Sequence, residues 1–162
     1  MKNNYFLVAG TLLLFLISCT TIPKFGIIKT DTPSRPAGQK DVLLLTTYPI
    51  PTVRVAFIGL GMRGPGAVER MTHIEGVEIV ALCDVEKENV QKVNNMLESK
   101  GLPRAMEFYG DTAVWREVTK LPDVDLIYIA TDWKTHAMMG VQGMRDGKHV
   151  AIEVPAAMTL DE

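Results

Sequence analysis

Val53-Arg54-Val55-Ala56-Phe57-Ile58-Gly59-Leu60-Gly61-Met62-Arg63-Gly64 runs from a β-branched, apolar hexapeptide straight into the pattern G-x-G-x-x-G. The hexapeptide has the character of a strand buried on both faces of a parallel sheet. Behind the glycines, Ala67, Val68, Met71 and Ile74 recur at helical spacing and Gly76 supplies a stop. In a chain with 13 glycines the pattern alone is weak. Its place between a strand and a helix gives it weight. In such a turn Gly59 permits the tight bend, Gly61 lets backbone approach a pyrophosphate, and Gly64 lets helix and strand pack closely. The phosphates are received by N–H groups that have no partner at the helix start.

The alternation continues along the chain. Val77 to Cys83 reads as a second strand, and Val90, Val93, Met96 and Leu97 mark a helix face with Glu86 and Glu88 in its first turn and Gly101 and Pro103 closing it. A short strand follows at Glu107-Phe108-Tyr109, then a helix opened by Asp111 with Val114, Trp115 and Val118 on one face, then a strand from Asp125 to Ala130. Trp133, Ala137, Met138, Val141 and Met144 describe a further amphipathic helix ending near Gly147, and Lys148 to Ile152 is a fifth strand. Repeated βα units of this length close as a parallel sheet with helices on both faces, so the expected class is α/β, a doubly wound Rossmann-type sheet. At Thr159 an N-cap with Asp161 and Glu162 behind it opens another helix. The expectation is therefore a domain truncated inside a structural unit.

Composition sets outer limits. The 162 residues carry 17 basic and 19 acidic side chains, a formal charge of −2, which argues against a basic nucleic-acid binder. Hydrophobic residues at 47% and charged residues at 22% are ordinary for one globular domain, not for a disordered or multi-span chain. Two cysteines cannot form a disulfide scaffold. Cys83, within an apolar run, reads as a buried and inert strand residue.

Candidate site residues cluster where strands end. Asp84 closes the second strand 20 residues beyond Gly64, where the acidic residue of this fold accepts hydrogen bonds from the adenosine ribose and repels a 2′-phosphate. It can also be a helix N-cap, and the two roles are compatible. Arg63 is read as a cofactor contact beside the pyrophosphate, or as a solvated helix-start residue. Thr131-Asp132-Trp133-Lys134-Thr135-His136 follows the fourth strand at the carboxyl edge, where ligands of open α/β sheets bind. Trp133 as core and His136 as a surface residue are the alternatives. Glu153 ends the fifth strand at that edge, and a buried charge there needs a partner, with a ligand as the natural one. His73 is read as an outer-face helix residue and His149 as a packed strand residue. The three histidines lack ligand spacing, and neither H-E-x-x-H, G-x-S-x-G nor a Walker lysine is present, so no metal is expected.

Ahead of the domain, Tyr5 to Ile17 is almost wholly apolar, follows the single charge Lys2, and is shorter than the roughly 20 residues of a bilayer span. It reads as a signal-peptide core. Leu16-Ile17-Ser18-Cys19 resembles the lipobox of bacterial lipoproteins, which implies cleavage before Cys19 and lipidation of that residue. Residues 1–18 are then signal peptide, 19–52 a proline-rich tether containing Pro23, Pro33, Pro36, Pro49 and Pro51, and 53–162 the binding domain. The implied location is the bacterial cell envelope, lipid-anchored, on the outer membrane or the periplasmic face.

The runs V-R-V-A-F-I-G-L-G-M-R-G-P-G (53–66), A-L-C-D-V (81–85), Y-I-A-T-D-W-K-T-H (128–136) and G-K-H-V-A-I-E-V-P-A-A-M-T-L-D-E (147–162) resemble the N-terminal domain of the Gfo/Idh/MocA superfamily. Within it they look closest to glycoside hydrolase family 109. Many sugar dehydrogenases of the superfamily carry E-K-P where this chain has Glu153-Val154-Pro155, so the active-site lysine of those enzymes is missing. The resemblance implies an NAD-dependent glycosidase of the α-N-acetylgalactosaminidase type. Its cycle oxidises the sugar at C3, acidifies the C2 proton, eliminates the glycosidic oxygen, adds water and returns the hydride. Such a redox-neutral cycle suits an exported protein, which has no large NAD pool to draw on. Carried onto this chain, the family's NAD contacts fall on Met62, Arg63, Asp84, Trp133 to His136 (with Lys134 and Thr135 between), Glu153 and Val154. The glycoside substrate and the catalytic groups belong to the domain expected beyond Glu162. An NAD-dependent sugar oxidoreductase and a non-catalytic nucleotide-binding lipoprotein stand as alternatives.

Overall fold

The computed structural model describes Ala37, Gly38 and residues 46–162; the apolar segment 5–17 and Cys19 lie outside the described residues. Thr47–Glu162 forms one compact unit. Its elements alternate: β1 (Val53–Ile58), α1 (Gly64–Met71), β2 (Val77–Cys83), α2 (Lys87–Ser99), β3 (Met106–Phe108), α3 (Trp115–Val118), β4 (Leu126–Ile129), α4 (Trp133–Arg145) and β5 (His149–Ile152). All strand pairs are parallel, in the order β3-β2-β1-β4-β5. The order runs outward in opposite directions from β1, so the crevice between β1 and β4 is the topological switch point of the sheet.

The period-two alternation of β1 divides the core between the two faces of the sheet. Val55 and Phe57 pack with Val68 of α1 and with Val90, Val93 and Leu97 of α2. Ala56 and Ile58 pack with Trp115 and Val118 of α3, Met139 of α4, and Ile127 and Ile129 of β4. Phe57 stacks on Tyr128 at 5.1 Å between ring centroids. Burying a side chain such as Phe57 is worth about 1.5–3 kcal/mol, and truncating it to alanine costs about 3–5 kcal/mol because a cavity is left.

Several local expectations are corrected. The face of α4 that meets the sheet is His136, Met139, Gly140 and Gly143, whereas Trp133, Met138, Val141 and Met144 are exposed. The reason is steric: a Cβ on Gly140 would lie 2.5 Å from Ile152 Cδ1, and one on Gly143 would lie 3.1 Å from Val150 Cγ2. Glycines let the helix sit close to β5, and an apolar period does not register them as inward. Helix α1 ends at Met71, leaving Ile74 exposed in the turn to β2 and His73 exposed beside it. Asp111 opens no long helix. Its carboxylate accepts the Ala113 N–H at 2.8 Å in an Asx turn, and α3 is the single turn Trp115–Val118. His149 is exposed on β5, not packed. No helix forms at Thr159, although Thr159 Oγ1 accepts from the Glu162 N–H and Glu162 Oε2 accepts from the Thr159 N–H, each at 3.3 Å, the reciprocal bonds of a capping box.

Candidate functional site

The carboxyl ends of the strands surround a cleft of about 940 Å³. Its floor is the glycine turn. Gly59 has φ +93°, and a Cβ there would fall 2.6 Å from the Ala130 carbonyl carbon. A Cβ on Gly64 would fall 2.1 Å from the Gly59 carbonyl oxygen, so this glycine serves the close packing of α1 on β1. Gly61 faces open space, with nothing within 4 Å of its Cβ position. The three glycines therefore carry three separate tasks, and only Gly61 leaves room for a ligand.

Helix α1 begins without a side-chain cap at Arg63 and with proline in its first turn. The first amide satisfied from within this region is that of Ala67, which donates to the Arg63 carbonyl. The earlier amides, with the positive end of the helix dipole, suit a phosphate. Helix α4 starts differently, since Asp132 caps it by accepting the Lys134 N–H at 2.9 Å.

Asp84 sits beside the floor with its carboxylate well engaged. Oδ2 accepts the Leu60 N–H at 2.6 Å, and Oδ1 accepts the Glu86 N–H at 2.9 Å and Asn89 Nδ2 at 3.2 Å. A carboxylate offers about four acceptor positions, so one is left toward the cleft for a ribose hydroxyl. The N-cap of α2 is Glu86, so Asp84 closes an Asx-type turn ahead of that helix. Glu86 and Asp111 also line the cleft, and Arg63 is the one Lys or Arg side chain among its lining residues. That balance disfavours a further phosphate at the Asp84 end. Cys83 is 2% exposed beneath it, and burial, with the Asp84 charge second, pushes its thiol up to about 12.

On the opposite side, Tyr128 Oη donates to Glu153 Oε1 at 2.7 Å. The partner that Glu153 needs is thus a neighbouring strand residue. Burial and then this carboxylate hold the phenol above its ordinary range. His136 is 1% exposed, with Nδ1 2.8 Å from the Pro155 carbonyl oxygen and Nε2 3.1 Å from that of Thr131. It is neither a surface residue nor a ligand with a spare ring nitrogen.

Of the sequence-derived site residues, the structure brings Gly59, Gly61, Met62, Arg63, Asp84, Trp133, Thr135, His136, Glu153 and Val154 to the cleft. Gly64 lies behind the floor, and Lys134 is an exposed residue of α4 that contributes its amide to the Asp132 cap. Asn89, Asp111, Thr112, Val114, Trp115 and Met139 line the cleft and were not anticipated. The signal for Asp111 and Thr112 was present, because the carboxyl-edge rule applied to the fourth and fifth strands applies equally to the third. Among the described residues, no group of three or more His, Cys, Asp and Glu side chains is placed to hold a metal. No helix among them is long and apolar enough to cross a membrane.

A doubly wound sheet with an open glycine turn, a helix start without a cap and a carboxylate at the end of β2 defines a dinucleotide-binding domain. Residues 53–162 match the family described as oxidoreductase family, NAD-binding Rossmann fold (Gfo/Idh/MocA), and the chain belongs to it. It is 57% identical over 155 residues to a protein of Bacteroides thetaiotaomicron named glycosyl hydrolase family 109 protein 1, covering 92% of this chain and 33% of that one. A protein of the same name from Bacteroides fragilis is 55% identical over 152 residues, covering 92% and 33%. The chain thus spans about a third of the length of these curated relatives. Among solved structures, myo-inositol dehydrogenase from Lactobacillus casei in complex with NAD(H) and myo-inositol aligns with a TM-score of 0.58 at 25% identity. That alignment covers 68% of this chain and 30% of the other.

Proposed function

We propose that this chain is the cofactor-holding part of an NAD-dependent glycosidase acting on N-acetylgalactosaminyl-type glycosides. The observation that carries the cofactor reading is the open Gly61 position under the uncapped start of α1, flanked by Asp84. The glycosidase reading rests on the relatives named glycosyl hydrolase family 109 and on Glu153-Val154-Pro155 standing where a dehydrogenase lysine motif would be.

In this reading the loop amides from Gly61 to Gly64 and the Arg63 side chain hold the diphosphate, and Asp84 holds the adenosine ribose. The carboxylates Asp84, Glu86 and Asp111 select NAD over NADP by repelling a 2′-phosphate. Thr131 to His136, Glu153 and Val154 wall the nicotinamide half. The chemistry NAD supplies when bound is reversible hydride storage, which permits C3 oxidation, elimination of the glycosidic oxygen and water addition with no net redox change. Cys19 carries lipid and places the protein on the cell envelope, the substrate entering from a domain that follows this one.

Calorimetric titration of the chain tests the cofactor assignment. NAD binds, NADP binds at least tenfold more weakly, and Asp84→Ala weakens NAD by about 1–3 kcal/mol while narrowing that gap. Equal affinity for both dinucleotides overturns the selection by charge. At the full encoded length, the protein should release aryl alcohol from an aryl N-acetylgalactosaminide without accumulating NADH. Net NADH production from free sugar would point to an oxidoreductase.

A further inference from the structure

The His136 ring is among the largest fully buried side chains of the domain, yet it is polar and lies at the cleft wall. Both of its nitrogens face carbonyl oxygens, one in the segment after β4 and one in the segment after β5. A carbonyl only accepts and an imidazole tautomer carries one N–H, so the ring donates to one of the two, and the shorter contact, Nδ1 to Pro155 at 2.8 Å, is assigned as that bond. The Pro155 carbonyl belongs to the segment that leaves β5, immediately after Glu153 and Val154. Glu153 is itself anchored, its side chain by Tyr128 Oη at 2.7 Å, whereas the residue after it has no such partner. Val154 is 81% exposed, and the Glu153 N–H donates to the Ile129 carbonyl at 2.9 Å.

Sheet order fixes which half of a dinucleotide would feel this segment. Asp84 and Asp111 lie beyond β1 on the β2–β3 side, and Thr131 and Glu153 lie on the β4–β5 side. With the diphosphate over Gly61 and the adenosine ribose at Asp84, Val154 borders the nicotinamide half.

We propose that His136 is a positioning residue whose Nδ1–H donates to the Pro155 carbonyl, ties the segment after β5 to α4 and so holds Val154 in place as the wall of the nicotinamide half of the cleft. It rests on the cofactor reading above. His136 then acts on a bound dinucleotide through the backbone it clamps, not by donating a hydrogen bond to it. A clamp of this kind lowers the ordering cost that binding must otherwise meet.

The test compares NAD with ADP, which carries the adenosine and the diphosphate but no nicotinamide. His136→Phe should weaken NAD about tenfold while changing ADP affinity less than twofold. Asn places its amide near the Nδ1 position and Gln near Nε2, so His136→Asn should restore NAD affinity through Pro155 and His136→Gln should not. Thermal unfolding of each variant is recorded alongside. An equal loss for NAD and ADP, an unchanged NAD affinity in His136→Phe, or equal rescue by Asn and Gln overturns the proposal. If His136→Phe fails to fold, the Asn and Gln pair decides on the same criterion. Failure of the unaltered chain to bind NAD overturns instead the cofactor reading on which the clamp is built.

Discussion

The two ends of the sheet are finished in opposite ways. At the amino end the chain closes upon itself. Arg54 forks onto Asp125 through Nε and Nη2, each at 3.0 Å, and reaches Asp123 at 2.6 Å, while its own amide donates to Asp125 at 2.9 Å. Lys148 Nζ donates to the Leu121 and Val124 carbonyls, the latter at 2.9 Å. Among the described residues, Asp146 Oδ2, at the end of α4, is the one buried side-chain oxygen without a partner. At the carboxyl end, in contrast, the amides from Gly61 to Gly64 are left open and Asp84 keeps an acceptor free. Apart from that one Asp146 oxygen, the fold satisfies its polar groups at the amino end and leaves them open at the carboxyl end, which shows where its energy goes to stability and where to a ligand.

That contrast can be broken experimentally. The largest effect expected is at Gly61, where alanine fits the free protein but occupies the space of the diphosphate. Gly61→Ala should leave the melting temperature within a degree or two and reduce NAD affinity by roughly a hundredfold, on the scale of an overpacking penalty. A comparable loss of stability would mean that the turn is not open. Lys148→Met should do the reverse. It strands two carbonyls and destabilises the domain by about 2 kcal/mol in denaturant unfolding, with NAD affinity unchanged.

Arg54→Met is a milder version of the same test. The Arg54 side chain is a third exposed and solvent screens the pair, so a loss of stability smaller than that of Lys148→Met is expected, again without a change in binding. The smallest effect is an acid titration. The Arg54 guanidinium and amide hold the Asp125 carboxyl at about 2, against an ordinary 3.8. A lowered folded value means that the contribution is complete above about pH 4 and is lost as the pH falls through 2. Arg54→Met should therefore flatten the acid limb of the stability curve. An identical limb in the variant would show that Asp125 does not carry it.

Legibility in the sequence followed the same division. The strands, the glycine turn and Asp84 were readable because each is a local pattern with one physical meaning: β-branched runs, a turn that needs bare Cα atoms, an acid at a strand end. The inward face of α4 was not readable, because Gly140 and Gly143 earn their place by what they let approach. Asn94 was missed for a related reason. It is fully buried, bonded to both backbone groups of Ala105 and to Glu107, and such satisfaction appears only once α2 and the approach to β3 are side by side. The Tyr128–Glu153 pair likewise depends on β4–β5 register, which sets Tyr128 opposite Ala151, two residues before Glu153. His136 was placed at the right edge, but its role follows from two carbonyls that no spacing rule could have put there.

At one point on the floor of the crevice, where Gly59 lies against the Ala130 backbone, main chain meets main chain with no side chain between. A contact without side chains offers mutation almost nothing to alter. Drift around it can change the walls, recruiting an acid here or an aromatic ring there, while the seat itself persists unless Gly59 is lost. In evolutionary terms the domain is a fixed socket with exchangeable fittings, and divergence among its descendants should be written in the wall positions first and in position 59 last.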